Sequence, residues 1–124
     1  MFATKQEIIE RIDLIADVQR AKIVGDPVRA FEYQAAEQGA RSYADAGYTG
    51  SVPGVVQVWA DARGWTPQQA ADNILAEATQ FQGALVFIRG TRLQAKYAVM
   101  DVAVTLEQAN EIGMAAISAL KGLG

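Results

Sequence analysis

The chain has no cysteine and no histidine. Lack of cysteine excludes a disulfide framework, a thiol nucleophile, zinc fingers and cysteine-ligated iron–sulfur clusters. Lack of histidine removes the commonest general base near neutral pH and the commonest nitrogen ligand for metals. The E-x-x-H elements of helical di-iron bundles are excluded with it. Long apolar runs are missing too. The most apolar segment, GALVFI at 83–88, stops at Arg89, far short of the roughly 20 residues that span a bilayer. The opening MFATKQEIIERID turns charged at once and has neither the apolar core nor the cleavage site of a signal peptide. No membrane contact is therefore expected. Basic and acidic side chains number 11 and 14, for a net charge of -3, which gives no support to nucleic-acid binding.

What remains is 124 residues, 51% apolar and 20% charged. That balance suits one folded domain over 1–124 and argues against disorder. Thr4 with Glu7 forms a capping-box pattern ahead of Ile8, Ile12 and Ile15 at helical spacing. Gly25, Asp26 and Pro27 close this first helix and open a second, with Asp26 as cap and proline in the first turn. Val28, Phe31, Ala35 and Gly39 mark one apolar side of the second helix, and Gly47 ends it. A short third helix is expected after Ser51 as cap, with Val55, Val56 and Trp59 inward and Gly64 at its end.

Thr66-Pro67-x-Gln69 is the sharpest boundary, combining cap, first-turn proline and reciprocal partner. Ala70, Ile74, Ala78, Phe81, Leu85 and Ile88 carry one face onward from it, with a break or bend expected near Gly83 or Gly90. VMDVAV at 99–104 reads either as a short strand or as the tail of that helix. Thr105 and Gln108 then cap a last helix bearing Leu106, Ala109, Ile112, Ala116 and Leu120, and KGLG stops it. The expected fold is all-α, a compact bundle of four to five helices with short capped connections.

Chemistry is hard to find in this pattern. Glu10, Asp13 and Asp17 share a face of the first helix, a spacing that fits a solvated surface more simply than a cation site. GYTGSVPG lacks the lysine of a phosphate loop, G-x-S-x-G is absent, and no serine has a histidine to activate it. No catalytic residue, cofactor or metal is expected, and the chain reads as a non-enzyme. Two features suit partner contact instead. Arg89, Arg92 and Lys96 form a basic stripe at i, i+3 and i+7. Trp59 and Trp65 flank the Gly64 corner, where they either lock two helices together or anchor a partner.

The block from Ala35 to Ala78 also carries Gly47-Tyr48, Val52-Pro53, Trp59-Ala60, Gly64-Trp65-Thr66, Gln69-Ala70-Ala71-Asp72 and Ile74-Leu75. In these residues it resembles a small α-helical region of bacteriophage and prophage tail-associated and tail-fibre-assembly-like proteins. The likeness extends loosely over about 35–92. It implies a non-enzymatic structural or assembly protein of a phage tail, with a tail, fibre or baseplate protein as partner. It also implies residence in the host cytoplasm during assembly or in the virion tail. A bacterial helical adaptor or regulatory module is the alternative reading of the same surface. Alanine-rich, glycine-dotted helices are compatible with a homo-oligomer as well.

Overall fold

The computed structural model describes residues 1–123 and is all-α. Five helices follow in order: α1 (Lys5–Val24), α2 (Pro27–Asp45), α3 (Gly54–Arg63), α4 (Pro67–Tyr97) and α5 (Leu106–Lys121). A π-helical turn, Ala98–Val102, continues α4. No strand occurs among the described residues: residues 99–102 of VMDVAV end the long helix as a π turn, and Ala103 and Val104 lead out of it. Gly124, the last letter of the KGLG stop, lies outside the described residues.

The helix starts show how local chemistry sets the boundaries. Thr66 and Gln69 close a full capping box: the Gln69 N–H donates to Thr66 Oγ1 (3.2 Å) and the Thr66 N–H to Gln69 Oε1 (3.0 Å). Thr4 and Thr105 likewise accept from Glu7 N–H and Gln108 N–H, both at 3.1 Å. Their return bonds land one residue earlier, on Ala3 N–H and Val104 N–H. Asp26 accepts from Val28 N–H at 2.9 Å, with Pro27 in the first turn where its missing N–H costs nothing. Ser51 does not cap α3. Pro53 holds that position without a side-chain bond, because the helix begins three residues beyond the serine.

The contacts gather into two units. One comprises residues 1–24 with the chain from Gly83 onward; the other is Gly25–Gln82. In the first, Ile8, Ile9, Ile12 and Ala16 of α1 are buried with Ile88, Ala95 and Val99, and with Ala109, Ala116, Ile117 and Leu120 of α5. Phe2 is tied to Asn110, whose side chain accepts from Phe2 N–H (2.8 Å) and donates to the Phe2 and Leu106 carbonyls (3.0 and 3.1 Å). These bonds satisfy a buried amide that would otherwise be costly.

In the second unit the core is small: Ala40, Tyr43, Val56, Ala60, Ala70 and Ala71, ringed by Val55, Trp59, Trp65, Ile74 and others. Gly39 lets α3 close in, for a β-carbon there would stand 2.5 Å from Val55 Cγ2. The apolar side anticipated for α2 is only partly used. Val28 and Phe31 are 69% and 75% exposed and Ala35 is exposed, while burial starts beyond Gly39. Length explains the difference. At about 1.5 Å per residue, α3 with its 10 residues can cover only part of a 19-residue α2.

Neither expected break in α4 occurs. The helix passes through Gly83 and Gly90 unbroken, and its winding changes only at Ala98–Val102, where Ala103 N–H reaches back to the Ala98 carbonyl (2.8 Å). A mid-helix glycine costs roughly 1 kcal/mol against alanine, which 31 helical residues absorb.

Candidate functional site

The tryptophan corner is built by a left-handed glycine. Gly64 has φ +68° and ends α3, and the Trp65 N–H turns back to the Ala60 carbonyl at 2.9 Å. This reversal brings Trp65 against Trp59, ring edge to face, with centroids 6.1 Å apart and planes at 89°. The Arg63 guanidinium lies 4.6 Å from the Trp65 centroid and 5.5 Å from that of Trp59. Trp59 donates its indole N–H to Asn73 Oδ1 of α4 at 3.0 Å. Both rings are half-buried against the alanine core, so the corner joins α3 to the start of α4.

A second aromatic pair lies in the same unit. Gly47 (φ +69°) and Tyr48 (φ +60°) both turn left-handed, a conformation uncommon for a residue with a side chain. Tyr48 N–H bonds the Tyr43 carbonyl at 2.9 Å, and the two rings meet edge to face at 5.6 Å. The Tyr48 hydroxyl donates to the Asp72 carboxylate at 2.5 Å. That bond, with lesser help from burial and the carboxylate charge, raises the Tyr48 pKa above its ordinary value. The partnership spans two sequence motifs and was not legible in either.

The basic stripe keeps its spacing but its members differ. Arg89 is exposed. Arg92 is half-buried, and its Nε has no hydrogen-bond partner. Lys96 donates to both carboxylate oxygens of Asp13 in α1, at 2.9 and 3.1 Å. Of the other acids on that α1 face, Asp17 pairs with Arg20 and Glu10 is exposed. No cluster of three acids that could hold a metal ion occurs among the described residues, and no described helix is long and apolar enough to cross a membrane.

An open groove of about 680 Å³ is lined by Gln34, Glu37, Arg41, Asp45 and Gln82 with their neighbours. Glu37 already accepts from Arg41 at 3.2 Å and from Gln82 at 3.1 Å. Every residue lining the groove is polar or charged, whereas small-molecule sites are ordinarily lined mainly by hydrophobic and aromatic side chains. More apolar surface lies open elsewhere. Phe31, Val28 and Tyr33 on α2, and Val86, Leu93, Tyr97 and Met100 on α4 and its π turn, are all exposed. The α4 set was not singled out from the sequence, although its alternating spacing is present in the letters. No known protein family, curated protein or solved structure matches this chain.

Proposed function

We propose that this chain is a non-enzymatic structural or assembly protein of a phage or prophage tail, working through protein–protein contacts. The observation that carries the contact role is the exposure of large apolar side chains within each unit, Val28 and Phe31 on α2 and, separately, Leu93 and Tyr97 on α4. Val28 and Phe31 are one helical turn apart on α2, as Leu93 and Tyr97 are on α4, and such exposed apolar neighbours are what a partner would cover. The tail assignment draws its support from the resemblance of the Ala35–Ala78 block to tail-associated proteins, including the Trp-Ala, Gly-Trp-Thr and Gln-Ala-Ala-Asp segments.

The residues at which a tail, fibre or baseplate protein would be met include Arg63, stacked and exposed beside Trp59 and Trp65, and Arg89, exposed on α4. Arg92 and Lys96 contribute less, one being half-buried and the other held by Asp13. The test is a tagged pull-down from the native host after prophage induction, read by quantitative mass spectrometry. Stoichiometric recovery of a tail, fibre or baseplate protein is expected. Enrichment of host regulatory proteins with no tail component would overturn this reading in favour of a bacterial adaptor.

A further inference from the structure

We propose that Gly25–Gln82 is a conformational device within the fold, a unit that opens and closes as one piece while residues 1–24 and 83–123 stay folded. The two units have cores of different quality. Of the largest fully buried side chains, Ile8, Ile12, Ile88, Val99 and Leu120 belong to the first unit and only Val56 to the second. The second core is otherwise Tyr43 with Ala40, Ala60, Ala70 and Ala71. A buried alanine takes a single methyl group out of water, whereas isoleucine or leucine takes about four carbons. Trp59 and Trp65 ring that core but are only half-buried, so part of each indole already meets water. Fixing the backbone opposes folding to a similar extent per residue in both units. The unit with less apolar burial is therefore the one that opens first.

The boundaries let the opening stop cleanly. Helix α1 ends at Val24, just before the left-handed Gly25 (φ +62°), and lies wholly in the first unit. Helix α4 crosses the other boundary, with 67–82 in the opening unit and 83–97 in the one that stays. Gly83 stands at that crossing, and glycine is well tolerated where a helix begins. The remaining 83–97 still makes about four turns and keeps Ile88 and Ala95 in the first core. Side-chain bonds between distant residues hold each unit from within. Phe2–Asn110 and Lys96–Asp13 tie the first; Tyr48–Asp72 and Trp59–Asn73 tie the second. Opening thus releases both aromatic corners together, and elements that change shape on binding are drawn from the low-stability part of a fold.

This opening goes beyond the tail-assembly reading and does not depend on it, because it concerns the chain alone. Urea unfolding of the full chain tests it. Both tryptophans lie in the second unit, so indole fluorescence follows that unit while far-ultraviolet circular dichroism follows the helices of both. The fluorescence change is expected to finish at lower urea, leaving helical signal that is lost in a second step. Val56→Ala, in the second core, should lower the fluorescence midpoint by about 1 M or more and leave the second helical step in place. If it unfolds that unit outright, the indoles are open to water before urea is added and the second step still remains. Ile12→Val, in the first core, should lower only the second step, by about 0.5–1 M. A single step in which the two probes coincide would overturn the proposal. Fluorescence that changes only in the last step, or either variant moving both midpoints together, would overturn it equally.

Discussion

Ile8 of α1 occupies the space that a side chain on Gly113 of α5 would need; a β-carbon at 113 would overlap the Ile8 Cγ2 methyl. The glycine is buried and Ile8 is fully so. Gly113→Ala therefore forces a shift in a packed core, costing about 1–3 kcal/mol, offset in part by alanine's better helix propensity of about 1 kcal/mol. A net loss of about 1 kcal/mol is expected in urea unfolding. In an Ile8→Ala background the same substitution should become neutral or stabilising. An equal loss in both backgrounds would show that the two positions are not coupled.

Gly83 makes the opposite case. It lies inside α4, and a β-carbon there would meet nothing within 4 Å. Gly83→Ala should stabilise the chain by about 0.5–1 kcal/mol, through a stiffer unfolded state and better helix propensity. Thermal unfolding should move up by a few degrees. A fall would mean that the open space at Gly83 is filled in solution, by a second molecule or by another part of the chain.

These glycines show where sequence reading works and where it stops. The Thr66-Pro67-x-Gln69 start of α4 was legible because the whole cap lies within four letters, and the observed bonds join those same residues. The uninterrupted passage through Gly83 and Gly90 was not, since the glycine penalty is fixed locally while the packing that outweighs it is not. Exposure of Val28 and Phe31 depends on how far α3 reaches, a tertiary fact. The sequence shows Lys96 only as a member of a basic stripe, because the carboxylate that holds it is 83 residues away in Asp13. The recurrence of Val86, Leu93 and Tyr97 along α4 was readable as spacing; that they face outward required the structure.

At the Gly64 corner the expected hierarchy is Trp65 over Arg63. Trp65→Ala removes a half-buried ring from the edge-to-face pair with Trp59 and should cost about 2–3 kcal/mol. Arg63→Ala removes only an exposed cation from above the two rings, worth about 0.5–1 kcal/mol. Trp65→Phe should fall between them. Chemical denaturation followed by far-ultraviolet circular dichroism gives the order directly. Unchanged stability in Trp65→Ala would take that ring out of the structural corner and make it an anchor for a partner.

The Tyr48–Asp72 bond makes a prediction confined to alkaline pH. The neutral phenol donates to the carboxylate, so folding favours the protonated form and holds the Tyr48 pKa above its unfolded value of 10.0. A group whose folded pKa is raised contributes stability that is complete below the unfolded pKa and lost as pH rises through the folded one. Wild type should therefore be more stable than Tyr48→Phe near neutrality, with the advantage constant up to about pH 10 and shrinking above it. Asp72→Asn removes the charged acceptor and should bring the Tyr48 titration down, visible in the phenolate absorbance difference against Asp72→Asn/Tyr48→Phe. Stability measured by urea unfolding across the alkaline range separates the cases. A wild-type advantage that persists unchanged well above pH 10 would show that the hydroxyl proton plays no part in holding Tyr48 to α4.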